Sequence, residues 1–121
     1  MGKNLTLEDR INYSTKLAKN YPDYLPVIIS KGGRDKILQD IDKTKYLIPK
    51  NLSVAEFTCI IRKKINTDQK QAIFIFIVVK HGSKSQSILV QSNQTFEQLY
   101  AQNRSEDNFL YLVYTAENTF G

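Results

Sequence analysis

A chain of 121 residues, 41% hydrophobic and 11% aromatic, can bury one core of modest size, which excludes a multidomain enzyme and a disordered chain alike. No run approaches the roughly 18 apolar residues of a membrane-spanning helix, because the longest, 72–79, ends at Lys80, so the sequence reads as that of a soluble protein. The net charge of +5 is uneven: 13 basic against 7 acidic residues up to Lys64, then 4 against 5, which gives +6 and −1. Its densest cluster, Arg62-Lys63-Lys64, falls late in a predicted helix, where cations also favour the helix dipole, so no nucleic-acid partner is expected. The lone Cys59 excludes an internal disulfide and favours a reducing compartment, the cytosol or nucleus.

In chain order, Thr6 and Asp9 have the spacing of a helix cap, and Leu7, Ile11 and Ala18 keep one helical face, which predicts a helix over 7–20. Tyr21-Pro22-Asp23 ends it. Val27-Ile28-Ile29 reads as a short strand, Gly32-Gly33 as a turn, and Lys45 to Pro49 as a second strand. Ser53 and Glu56 form a capping box, and Leu52 with Phe57 a hydrophobic staple, for a helix over 54–65. Phe57, Ile61 and Ile65 lie on its inward face; Cys59 and Ile60 are read as widening that face, with Cys59 a buried structural thiol. The run 72–79 is β-branched and aromatic throughout, as befits a strand covered on both faces. A turn over 80–84 leads to a short strand at Ile88-Leu89-Val90, Thr95 and Gln98 cap a helix through Ala101, and 109–114 is the last strand.

Without its first helix the order is ββαββαβ, an α+β arrangement in which a sheet curls around one main helix, the β-grasp of ubiquitin. The first and last strands would lie side by side at the centre, with Lys45 to Pro49 on one edge. The chain divides as one unit: 1–22 an N-terminal helical extension, 23–115 the β-grasp core, 116–121 a tail. That tail ends in Gly121, whose carboxylate sits on a carbon without a side chain, so a narrow enzyme channel can admit it.

Several separated blocks carry a resemblance. Tyr21-Pro22-Asp23-Tyr24-Leu25-Pro26-Val27-Ile28, Asp42 to Pro49, Arg62-Lys63, the run 72–77, Phe109-Leu110-Tyr111 and the terminal aromatic-Gly recur in similar order and spacing in the autophagy ubiquitin-like modifiers. These are the family of the GABA-receptor-associated protein and the microtubule-associated protein light chains. The resemblance implies a tag that is not itself an enzyme and needs no cofactor. Its C-terminal glycine would be joined to phosphatidylethanolamine by activating and conjugating enzymes and released by a cysteine protease. It would lie in the cytoplasm and, once lipidated, on the autophagosomal membrane, where it recruits cargo receptors bearing aromatic-x-x-aliphatic motifs.

An edge strand exposes unpaired N–H and C=O groups to which an extended peptide can add, while side pockets select alternate residues. Matched to the family, the aromatic pocket would be lined by Leu17, Pro26, Ile28, Lys45, Leu47 and Phe109, and the aliphatic one by Tyr46, Ile48, Pro49, Leu52, Phe57 and Ile60. Acidic residues flanking the motif would meet Lys43, Lys45 and Arg62. The chain also departs from the family: Tyr13 and Tyr24 stand where charged residues are frequent, one residue is added near Gly32-Gly33, and 80–95 replaces a shorter connection. Two other readings stay open, a modifier attached to proteins and a stand-alone basic interaction domain.

Other chemistry is thin. His81 has no second His or Cys cluster in sequence, no phosphate loop or Ser-His-Asp pattern can be assembled, and no metal site is expected. Met1 to Thr6 fits an N-myristoylation pattern at Gly2, in competition with the capping role of Thr6.

Overall fold

A computed structural model of the chain describes residues 5–117; Gly2, Phe120 and Gly121 lie outside them. The elements run α1 (Leu7–Asn20), β1 (Tyr24–Lys31), β2 (Lys45–Pro49), α2 (Val54–Lys64), β3 (Phe74–His81), β4 (Lys84–Leu89), α3 (Phe96–Asn103) and β5 (Leu110–Thr115). All three helices start in capping boxes. The hydroxyls of Thr6, Ser53 and Thr95 accept from the backbone N–H of Asp9, Glu56 and Gln98, whose side chains accept in return from the cap N–H groups. This satisfies donors that a helix start leaves orphaned.

The five strands form one sheet in the order β2-β1-β5-β3-β4. Chain ends meet at its centre, β1 pairing parallel with β5 from Val27 opposite Leu110 to Lys31 opposite Tyr114. Every other contact in the sheet is antiparallel. The ββαββαβ order and the central β1–β5 pair agree with the sequence expectation, and β2 is an edge.

Strand bounds differ where prolines and turns were over-weighted. Pro26 lies inside β1, not before it. The N–H of Ile29 points to Thr44, so Leu25 and Val27 also face β2, while Pro26 faces the β5 side one residue before that ladder begins at Val27. Its missing donor therefore costs no ladder bond. At the other end, β3 and β4 stay paired to His81 opposite Lys84, and the turn is two residues, with Gly82 at φ +65° supplying the left-handed backbone of a tight hairpin. The segment after Lys80 is thus a paired hairpin rather than a loose loop.

One face of the sheet carries the core. Leu25, Val27 and Ile29 of β1, Ile75 and Ile77 of β3, and Leu110, Leu112 and Tyr114 of β5 pack against Val54, Phe57 and Ile61 of α2, its cap residue Ile65, and Phe96 and Leu99 of α3. The rings of Phe57 and Phe96 meet edge to face at 4.9 Å and join the two helices. Cys59, expected to be buried, is exposed, and Ile60 is 38% exposed. At about 100° per residue Cys59 stands some 200° round the helix from Phe57, on the solvent side, and Ile60 falls on the flank.

The first helix also departs from its expected apolar face. Leu7 and Ala18 are exposed, Ile11 is half-buried, and Ser14 alone among the residues of α1 is buried. α1 sits outside the core cluster, fastened by polar contacts. The Ser14 hydroxyl donates to the Asp107 carbonyl at 2.8 Å, and Arg10 Nε donates to the Asp107 carboxylate at 3.0 Å. That carboxylate, 4% exposed, also accepts from the Phe109 N–H and the Tyr111 hydroxyl. Burial first, and then the anion of Asp107, pushes the Tyr111 phenol well above its ordinary value.

A second carboxylate ties the sheet's end. Asp35 accepts from the N–H groups of Ala116 at 2.6 Å, Leu38 at 2.8 Å and Ile37 at 2.9 Å, and from the Thr115 hydroxyl at 3.0 Å. Burial alone would raise this carboxyl, but the four donors together hold it below its ordinary value.

Candidate peptide groove

The register of β1 and β2 decides what the free edge offers. Leu25 and Val27 turn their main-chain groups toward β2, so their partners Ile48 and Tyr46 turn theirs inward. Lys45 and Leu47 consequently aim N–H and C=O groups away from the sheet, toward any strand that comes alongside. Side chains alternate as well. Lys45, Leu47 and Pro49 share a face with Ile28, Pro26 and Tyr24, while Tyr46 and Ile48 share the core face with Val27 and Leu25. Residues of an added strand would therefore meet two different faces, one on each side of β2, as candidate depressions.

The first depression lies toward α1. Ile28 and Lys45 are register partners, as are Pro26 and Leu47; Leu17 is half-buried on the helix, and Phe109, fully buried, lies beneath. Sequence reasoning did not assign Tyr13 to this pocket, yet it belongs there. It is one turn before Leu17, its ring lies 6.1 Å from that of Phe109, and its hydroxyl accepts from Lys45 Nζ at 2.6 Å. The same ammonium is 4.2 Å from the Tyr13 ring centroid. The i to i+4 spacing from Leu17 is the signal that could have found it.

The second depression lies toward α2. Tyr46, Pro49 and Leu52 are half-buried, Ile48 and Phe57 belong to the core, and Ile60 stands exposed at the rim. Lys43 and Lys64 lie 5.4 and 5.3 Å from the Tyr46 ring centroid, so two cations flank one aromatic face. Burial, with a smaller contribution from Asp42, raises the Tyr46 phenol. Arg62 has other contacts: its Nη1 donates to the carbonyls of Asp68 at 2.9 Å and Gln71 at 2.6 Å, closing the loop after α2. Lys64 is a cation of the rim that sequence reasoning passed over, although it lay in the basic cluster one turn beyond Ile60.

Of the fourteen proposed peptide-binding residues, Pro26, Ile28, Lys45, Tyr46, Leu47, Ile48 and Pro49 sit on the paired strands β1 and β2, Phe57 and Phe109 have no exposed surface, and Arg62 is turned to the neighbouring loop. Among the described residues no group of three or more His, Cys, Asp or Glu could hold a metal ion, and no helix is long and apolar enough to cross a membrane.

Comparison with known proteins agrees with this architecture. A family profile described as the autophagy protein Atg8, ubiquitin-like, matches residues 9–121. Autophagy-related protein 8a of Arabidopsis thaliana is 37% identical over 115 residues, 95% of this chain and 87% of the relative. Autophagy-related protein 8B of Oryza sativa is 39% identical over 96% of this chain and 90% of the relative. Autophagy-related protein 8 of Schizosaccharomyces pombe is 40% identical, with 96% and 88% covered.

Proposed function

The chain belongs to the Atg8 family of ubiquitin-like autophagy proteins, and from that premise we infer that it is a lipid-conjugated modifier that recruits peptide-bearing partners to a membrane. The observation that carries the recruiting half is the outward-facing main chain of Lys45 and Leu47 between two unlike depressions. An extended peptide adds there as a sixth strand, its aromatic residue entering toward α1 and its aliphatic residue, three positions on, entering toward Tyr46 and Leu52. Lys43, Lys45 and Lys64 give the rim a positive field for acidic residues beside the motif.

The conjugating half rests on the family and on chemistry. The tail, 116–121, would carry the carboxyl of Gly121 through an adenylate and a thioester to the amine of phosphatidylethanolamine. The carboxylate first attacks ATP with loss of pyrophosphate; the acyl group then passes to enzyme thiols with loss of AMP and from thiol to amine, and a cysteine protease would hydrolyse the resulting amide back to carboxylate and amine. The protein would pass between the cytoplasm and the autophagosomal membrane. The test is reconstitution with the two enzymes, ATP and phosphatidylethanolamine liposomes, read as a gel shift. Wild type should shift and Gly121→Ala should shift poorly or not at all, because the approach to a glycine carboxyl leaves little room for a Cβ. Equal shifts would remove Gly121 as the reacting residue, and transfer to proteins in place of lipid would favour a protein-conjugated modifier.

A further inference from the structure

Lys45 starts on the edge strand, but its ammonium ends on a helix. Its register partner is Ile28 on β1, and α1 lies beyond that strand. To reach the Tyr13 hydroxyl, 2.6 Å away, the Lys45 side chain must cross from β2 to α1 on the face that also carries Ile28. Tyr13 in turn is backed by the buried Phe109 ring. The contact is therefore a bar over the pocket into which an aromatic residue would go. Among the described residues no carboxylate lies within ion-pair distance of Lys45; a neutral hydroxyl and a ring face hold the ammonium. Such a contact is weaker than one to a carboxylate.

We propose that Tyr13 and Lys45 form a latch across the aromatic pocket: breaking the Tyr13 contact lowers the affinity of every incoming peptide, and Lys45, once released, selects those with a carboxylate next to the aromatic residue. The proposal rests on the groove reading given above and names the class of partner: an aromatic-x-x-aliphatic peptide with an acidic residue directly before the aromatic one. That peptide exchanges the Tyr13 contact for a stronger one. A peptide with a neutral residue there must break the same contact and gains no replacement.

The experiment is calorimetric titration of two peptides, differing only in Asp or Asn before the aromatic residue, into wild type, Tyr13→Phe, Lys45→Met and the double variant. Tyr13→Phe should tighten both peptides about threefold to tenfold, the loss of one hydrogen bond to a partly exposed cation, and should keep the preference for Asp. Lys45→Met should tighten the Asn peptide to a similar degree and bring the Asp-to-Asn ratio near one. For the Asn peptide the double variant should bind no tighter than either single one, because both changes open the same latch. Unchanged or weaker binding by Tyr13→Phe, or additive gains in the double variant, would overturn the latch while leaving the groove in place. Failure of wild type to bind either peptide would instead remove the groove reading, and the latch with it.

Discussion

The two helices that wall the groove are attached by opposite means. α2 enters the core with Val54, Phe57 and Ile61, and its cap residue Ile65 is buried as well. α1 fully buries Ser14 alone and is held by the Arg10–Asp107 pair, the Ser14 hydroxyl and the Tyr13–Lys45 contact, with the Tyr13 ring against Phe109 and half-buried Ile11 and Leu17 as its apolar share. Apolar burial is non-directional and lost only by unfolding, whereas a few polar contacts can be exchanged for others one at a time. The wall facing α2 is thus part of the fold, and the wall facing α1 is adjustable. The edge strand between them is flanked by a surface keyed into the core on one side and by one held through exchangeable polar contacts on the other.

The sharpest way to break this contrast is to cut each attachment in turn. Phe57→Ala should lower the stability of the whole domain by about 3 to 5 kcal/mol in chemical denaturation, the usual result of emptying an aromatic site in a core. If the loss stayed below about 1 kcal/mol, α2 would not be keyed into the core as described. Asp107→Ala should act more locally, removing about 2 kcal/mol where Arg10, Tyr111 and the Phe109 N–H meet its carboxylate. Hydrogen exchange should then show the amides of α1 opening while those of α2 keep their protection. Equal loss in both helices would mean that α1 and α2 unfold as one unit. Leu47→Ala, on the strand between them, should leave folding unchanged and weaken an aromatic-x-x-aliphatic peptide by roughly 1 to 2 kcal/mol in calorimetric titration. Unaltered affinity in the folded variant would take Leu47 out of the groove.

The sequence was most legible where one local interaction decides the structure. Three capping boxes marked three helix starts, because a box needs no distant partner, and the element order then placed Lys45 to Pro49 on an edge. It was least legible where a residue's fate depends on what packs against it. Leu7, Ile11 and Ala18 share a helical stripe, yet α1 meets the sheet outside the core and that stripe stays largely open. Pro26 looked like a strand boundary, since nothing local says that its side of β1 has no partner until the next residue. The groove residues came from the family resemblance, but Tyr13 and Lys64 needed coordinates. The spacing from Leu17 and from Ile60 placed both on the right helical faces, but a contact to a lysine 32 positions later, or to the Tyr46 ring, is set by how the helices pack and is not written in either segment.

Asp35 sets a limit of another kind. With the Ala116 N–H fixed 2.6 Å from that carboxylate, the tail has a defined root on the 32–38 loop, and its remaining five residues can extend at most about 17 Å from it. The depressed carboxyl keeps this anchor ionised at neutral pH, and the anchor loosens only as the pH falls below the ordinary carboxylate range. On the reading of Gly121 as the reacting residue, a conjugating enzyme would have to bring its reactive group within that radius of the loop.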